Sequence, residues 1–423
     1  MLAKLEQIWK AKDLRRSILF VFAMLVVFRL AAHIPVPGVD TAALKNLFAS
    51  NEILGLMNIF SGGGMENFSI VMMGIAPYIT ASIIFQLLGM IIPKIEEMQK
   101  EESGRQKINM WTRWATVPLA AMQAYGMITL LQRSNQGILG DISAFDFGVI
   151  ILTITAGTIF LMWIGELISE KKIGNGISLL IFAGIVAGIW QQLQQFILTF
   201  DQTQIFTVVG FVVVAILTVI GVVIVNEGQR NIPVQYARQI RGNRAFGGTS
   251  THLPLRVNMA GVIPIIFAIS VVLFPPMIAQ FFLHARTAWI ANFSAKVIEI
   301  FNNQLIYGII YFILVFAFTY FYTEVIFHPD QISENLQKQG GFIPGIRPGK
   351  PTRDYLAYTA HRIIFAGALF LSLIAVLPLV MRYFTGIQSM AIGGTGLLIV
   401  VSVVIETVKQ IESQLTMREY DGI

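Results

Sequence analysis

The side chains able to make and break bonds are few, and their spacing suits no catalyst. The chain has 423 residues, no cysteine and five histidines, at 33, 252, 284, 328 and 361. Disulfides, thiolate metal sites and cysteine nucleophiles are therefore excluded. No His-Glu-x-x-His segment sets two imidazoles beside a carboxylate, so zinc-dependent or intramembrane proteolysis lacks its ligands. Glycines cluster at 62–64, at 174 and 176, and at 393–396. None has the lysine and the preceding strand that a phosphate cradle requires, so ATP hydrolysis has no site. No catalytic residue, metal ligand or cofactor is expected.

What remains is polar side chains in apolar surroundings. Apolar residues make up 55% and charged ones 13%, against about 25% charged in soluble proteins, and the mean hydropathy is +0.69. Ten runs are long and apolar enough to cross a bilayer, at about 17–34, 68–92, 111–131, 147–167, 177–198, 206–225, 259–282, 305–327, 362–381 and 391–409. An all-α polytopic membrane protein follows. A solute carrier usually buries ionisable groups near mid-membrane. Here Glu166, Glu227, Glu324 and Glu406 fall at run ends, which leaves Arg29 alone at depth.

The polar residues inside the runs are uncharged: Thr80, Ser82 and Gln86 in the second, Gln123 in the third, Asn258 opening the seventh. Ordinary hydrogen bonds between helices would use such groups equally well. Gly184 and Gly188 suit a close helix crossing. Ile75 and Ile79 share one helix face, as do Ile177 and Ile181, while Ile266 and Ile399 lie about midway along the seventh and tenth runs. Isoleucines facing lipid would give the same pattern, so residue types leave a pore ring and plain packing both open.

Charge orients the chain. With ten crossings both ends lie on one side, and that side carries 24 of the 30 Lys and Arg residues. By the positive-inside rule it is cytoplasmic. The first run is expected to stay uncleaved, because His-Ile-Pro-Val-Pro-Gly (33–38) follows it in place of a small-residue cleavage site. Three loops stand out. Asn58–Phe68 on the outer side is moderately apolar and broken by three glycines, which fits a surface loop or a short re-entrant element. Residues 226–256, with Gly242-Asn243 near the centre, predict a cytoplasmic hairpin with a basic tip. Residues 328–361 form a second long cytoplasmic loop, whose 342–349 stretch is too rich in Pro and Gly for a helix. Topology and anionic lipids, at about 1 kcal/mol per cation, account for any single Lys or Arg. They do not account for two loops of this length, whereas docking of a cytosolic partner does.

Five segments carry a resemblance. Gly-Ile-Ala-Pro-Tyr-Ile-Thr-Ala-Ser-Ile-Ile (74–84), Ile-Gly-Asn-Gly-Ile-Ser (173–178), Thr-His-Leu-Pro-Leu-Arg-Val-Asn-Met-Ala-Gly-Val-Ile-Pro (251–264), Phe-Ile-Pro-Gly-Ile-Arg-Pro-Gly (342–349) and Gly-Gly-Thr-Gly-Leu-Leu-Ile-Val-Val (393–401) resemble, in order, the signatures of the bacterial SecY family. That family supplies the channel subunit of the Sec protein translocon. The resemblance runs from about Asp13 to Leu415 and leaves the outer loops 132–146 and 283–304 unmatched.

The resemblance implies two inverted pseudo-symmetric halves of five helices, 1–200 and 201–423, hinged near 199–205. Between them lies an hourglass pore with a plug and a lateral gate between spans two/three and seven/eight. It casts Ile75, Ile79, Ile177, Ile181, Ile266 and Ile399 as the pore ring. Ile59, Phe60, Ser61, Gly62, Gly63, Gly64 and Met65, within about 58–68, are cast as the plug. Thr80, Ser82, Gln86, Gln123 and Asn258 become the lateral gate. Arg238, Arg241, Arg244, Arg256 and Arg347 become the docking surface for the ribosome or the motor ATPase SecA. Asn231 and Asn243 stand where some relatives carry basic residues, which weakens the expected contact with ribosomal phosphates. Implied partners are SecE, SecG, SecA, the translating ribosome, preprotein signal sequences and nascent chains, and anionic lipids, at the bacterial cytoplasmic membrane. The alternatives are a secondary transporter with inverted repeats and, more weakly, an intramembrane hydrolase.

Overall fold

The computed structural model describes residues 8–37, 39, 43–45, 58, 61–133, 143–199, 205–236, 239–241, 244–246, 250–283, 287–385 and 393–421. Every apolar run lies on a helix, because only internal hydrogen bonding satisfies a backbone that no water can reach. In chain order these are α1 (Lys12–Ala31), α2 (Ala76–Ile91), α4 (Glu102–Arg133), α5 (Ala144–Glu170), α6 (Gly176–Thr199), α7 (Ile205–Glu227), α8 (Ile263–Phe282), α10 (Gln304–Ile326), α12 (Lys350–Thr385) and α13 (Gly393–Asp421). Between them lie α3 (Pro93–Lys100), α9 (Ala288–Asn302) and α11 (Pro329–Lys338). Among the described residues, Glu102–Gln132, Ala144–Glu170, Gln304–Lys338 and Lys350–Met381 are each long and apolar enough to cross a membrane. The α2–α3 pair also qualifies, bent by 110°. The bend falls at Ile92, where Pro93 cannot continue the preceding helix.

Two spans start later than hydropathy predicts. The second run was expected from 68, yet residues 70–75 are turns and α2 begins at Ala76. Gly74 there has φ +57, which a helix cannot absorb. The seventh run was expected from 259, yet α8 begins at Ile263. Gly261 has φ +64, and Asn258 Nδ2 donates to the Gly261 carbonyl at 3.1 Å, holding a turn where a helix would otherwise start.

The chain forms two compact units. The first comprises Met1–Ile205, Ile269–Tyr307 and Val403–Ile423, the second Phe206–Ala268 and Gly308–Ser402. Glycine decides how closely the first unit packs. A Cβ on Gly157 of α5 would stand 1.9 Å from the Ile70 carbonyl, and one on Gly176 would stand 1.8 Å from the Gly165 carbonyl. α5 therefore lies directly against the irregular backbone near 70, and against the start of α6. The α5–α6 turn passes through Lys172 at φ +57, and Gln414 Nε2 of α13 donates to the Lys172 carbonyl at 2.5 Å.

The second unit carries strands. β1 (Gln229–Tyr236) pairs antiparallel with β4 (Ser250–Arg256), from Gln229 opposite Arg256 to Gln235 opposite Ser250. β2 (Gln239–Arg241) and β3 (Arg244–Phe246) pair antiparallel within the predicted hairpin, with Arg241 opposite Arg244. β5 (Gly341–Phe342) adds to β1 and gives the order β4-β1-β5, so both long loops build one sheet. Ile232 and Val234 point inward while their neighbours are exposed, the alternation expected of a half-buried strand. They pack with Leu255, Leu336, Ile343 and Leu356 in a small core of their own.

Candidate functional site

The segment leading into α2 is the least regular buried backbone in the first unit. Residues 61–68 and 70–75 form successive turns, and Ser61, Met65, Phe68, Val71, Met72 and Met73 are buried. Lacking a ladder, the segment is bonded through backbone turns, among them Ser69 N to the Gly64 carbonyl at 2.9 Å, and through side chains. Asn58 Nδ2 donates to Glu66 Oε2, and Glu66 N donates to Asn58 Oδ1, both at 2.9 Å. Ser61 Oγ donates to the Asn58 carbonyl at 2.9 Å and accepts from Met65 N at 3.1 Å. Gly62 and Gly63 have φ +70 and +81, and the buried Phe68 has φ +46, a left-handed setting that costs a bulky residue energy. Its base is pinned to the chain after α1. Val36 N donates to the Phe68 carbonyl at 2.8 Å, Ile70 N donates to the Ile34 carbonyl at 3.0 Å, and Pro35 bridges Ser69. Beneath lies a core that includes Met65, Met72, Met73, Met127, Ile128 and Ile154. Its methionines fill irregular gaps without demanding one fixed shape.

Of the residues expected in the plug, Ser61, Gly62, Gly63, Gly64 and Met65 lie in this segment, while Ile59 and Phe60 lie outside the described residues. Sequence reasoning left Arg29 without a task. Its Nη1 donates to the Gly62 carbonyl at 2.5 Å. Gly184, read as a helix-crossing residue, has its Cα 3.1 Å from where a Gly62 Cβ would be, whereas Gly188 has open space around it.

Within the first unit, Ile75 immediately precedes α2 and Ile79 lies one turn on, its N–H bonded to the Ile75 carbonyl at 3.0 Å. Ile177 and Ile181 occupy the first two turns of α6. Within the second, Ile266 sits in the first turn of α8 and Ile399 in the second turn of α13, so neither is midway along its helix. The late start of α8 accounts for the first difference. For the second, α13 runs to Asp421, well past the apolar run. Ile75, Ile79, Ile181, Ile266 and Ile399 are all buried and Ile177 is half-buried.

The uncharged polar residues divide in the same way. In the first unit, Thr80 Oγ1 donates to the Ala76 carbonyl at 3.0 Å and Gln86 Nε2 donates to Ser82 Oγ at 3.0 Å. Gln86 Oε1 is buried without a hydrogen-bond partner, and Gln123 on α4 is buried. In the second unit, Asn258 Nδ2 donates to Asn226 Oδ1 at 2.7 Å, and Asn226 Nδ2 donates to Ser402 Oγ at 2.7 Å. The Asn258 Oδ1 atom is left buried and unbonded. Sequence reasoning missed Asn226 and Ser402. The available signal was an amide one residue before Glu227, at the end of an otherwise apolar run. Buried acceptors of this kind are costly unless a partner arrives. The first unit also holds an ion pair, Arg113 Nε to Glu166 Oε1 at 2.6 Å.

Of the arginines expected at the docking surface, the described ones lie in the second unit. Arg347 is exposed while its backbone is fixed: its carbonyl accepts from Thr352 Oγ1 at 2.8 Å, and the Gly349 carbonyl accepts from Ser333 Oγ at 2.8 Å. Gly345 and Gly349 have φ +83 and +93, values only glycine takes readily. Arg256 is exposed at the end of β4. Arg241 and Arg244 lie on β2 and β3, and Arg238 lies outside the described residues. On α11 Lys338 Nζ pairs with Glu334 Oε1 at 2.7 Å. Among the described residues no cluster of three metal-ligating side chains occurs.

A family model described as SecY matches residues 69–408. The protein translocase subunit SecY of Halalkalibacterium halodurans is 46% identical, the alignment covering 100% of this chain and 99% of that protein. The subunits of the same name from Corynebacterium glutamicum and Mycobacterium tuberculosis H37Rv are 43% and 44% identical. Those alignments cover 99% and 97% of this chain, and 98% and 97% of the relatives. Among solved structures, a protein-conducting channel is similar with a TM-score of 0.64 at 18% identity. It covers 93% of this chain and 91% of that one. The canine Sec61 of a ribosome–channel complex from the endoplasmic reticulum is similar with a TM-score of 0.61 at 17% identity, over the same shares of the two chains. These structures share the fold.

Proposed function

The chain belongs to the SecY family, and from that premise we propose that it is the central subunit of a channel moving unfolded preproteins across the bacterial cytoplasmic membrane. It is a multi-pass membrane protein without chemistry of its own. In this reading its termini are cytoplasmic, and its two halves, 1–200 and 201–423, enclose the pore. The observation that carries the reading is the near-complete match to translocase subunits, and the buried irregular segment before α2 supports it.

The six isoleucines form the constriction. Branched apolar side chains dewet a narrow waist and block ions, yet they offer no hydrogen bonds that would hold one passing sequence over another. Residues 59–65 fill the resting pore. Thr80, Ser82, Gln86, Gln123 and Asn258 line the lateral seam. Interhelical hydrogen bonds in membranes average about 0.6 kcal/mol, and each buried CH₂ of a signal helix contributes about 0.8 kcal/mol. Signal binding therefore shifts the population toward the open state. Arg238, Arg241, Arg244, Arg256 and Arg347 dock SecA or the ribosome, which supply the work. SecE and SecG are the membrane partners, and anionic lipids meet the remaining cations.

Site-specific photocross-linking from Ile79 to a stalled preprotein tests this reading. An adduct is expected only while a chain is in transit. Its absence, together with saturable uptake of a small solute, would favour a carrier instead.

A further inference from the structure

We infer that Arg29 is a positioning residue that latches the closed segment onto the helices, an inference that rests on the plug reading above. The bonds around this segment are of three kinds. Those among Asn58, Ser61, Met65 and Glu66 join the segment to itself and can move with it. Those at Phe68 and Ile70 pin its base to Ile34 and Val36 and can stay behind as a pivot. The bond from Arg29 to the Gly62 carbonyl ties the glycine turn of the segment to α1 and must break if that turn leaves.

Gly62 is shaped for the seat. An added Cβ would lie 2.7 Å from Phe28 Cζ and 3.1 Å from the Gly184 Cα, so the backbone is wedged between α1 and α6. Its φ of +70 further restricts the position to glycine. Arg29 is the one Lys or Arg set well inside an apolar run, the others (Arg113, Arg362, Lys409) standing at or near run ends, and its bond to a carbonyl is charge-assisted, stronger than a neutral one. Once the segment swings out, the guanidinium needs water in place of Gly62. The latch therefore releases most easily when water has entered the outer mouth, which couples displacement to hydration of the pore.

The test is resting ion conductance of the full-length protein, reconstituted with its membrane partners in planar bilayers. Arg29→Met is expected to raise the resting open fraction about tenfold, equivalent to about 1.4 kcal/mol. Arg29→Lys, which keeps a cationic donor, should stay near wild type. Gly62→Ala should leak as Arg29→Met does, and the double variant should leak no more than the worse single, because both break one contact. Should the Met variant fail to fold, Arg29→Gln is read instead, with a several-fold leak expected. A wild-type seal in Arg29→Met, or in Arg29→Gln where that stands in, overturns the latch. Deleting residues 58–67 separates the two ideas. A leak on deletion with a tight Arg29 variant rejects only the latch, whereas a tight deletion rejects the plug.

Discussion

Among the described residues, the 61–75 segment and the sheet of the second unit are both non-helical, and they are held in opposite ways. The sheet of the second unit satisfies its backbone by a continuous antiparallel register and buries Ile232 and Val234 in its own core. The 61–75 segment has no ladder beyond the Pro35–Ser69 bridge; it is held by short-range turn bonds of its own backbone, by ties from Asn58, Ser61 and Arg29, and by positive φ at Gly62, Gly63, Phe68 and Gly74. A ladder shares its stability over many equivalent bonds, so displacing one strand means losing the set. Side-chain ties are separable, each a net contribution of about 1 kcal/mol. The first construction suits a rigid platform, and the second suits the plug role proposed above, in which the segment leaves its seat.

The comparison fails most visibly if close packing under the segment proves dispensable. Gly157→Val would drive a side chain into the Ile70 carbonyl, and a loss of about 3 kcal/mol is expected, read as a depressed Tm in detergent. An unchanged Tm would mean that α5 does not support this backbone. Ile232→Ala, at 1% exposure, should cost about 2–4 kcal/mol. That loss should stay local: faster proteolysis of the 226–256 hairpin with the resting ion seal intact. A leak in this variant would blur the distinction between platform and moving part.

Asn58→Ala removes both bonds to Glu66 and should weaken the closed segment by about 1–2 kcal/mol, visible as resting conductance at unchanged hairpin proteolysis. The smallest stability effect is reserved for Arg347→Glu. The residue is exposed, so less than about 0.5 kcal/mol is expected, while SecA-driven import into proteoliposomes should be lost. Full import would remove Arg347 from the docking surface.

Helix placement was legible because a bilayer leaves a long apolar run few alternatives. The hairpin was legible from alternation and Gly242-Asn243. Helix starts were not: hydropathy is blind to the Asn258–Gly261 turn and to Gly74, and so it misplaced Ile266 by about a turn. The polar links were equally hidden. Asn226, Asn258 and Ser402 come from separate runs, and no periodicity within one helix records which amide will find which hydroxyl. The third strand of the sheet was beyond reach as well, since two residues at 341–342 carry no strand signal until β1 offers them an edge.

Composition, run lengths and loop charge by themselves determined a polytopic helical membrane protein with two elaborate basic loops, because transfer free energies depend on residue type and add along the chain. Only the tertiary structure decided that Arg29 holds Gly62, that both basic loops share one sheet, and that Gly157 admits the Ile70 carbonyl. Those are contacts between distant segments, set by ångström-scale fit that residue type alone does not encode.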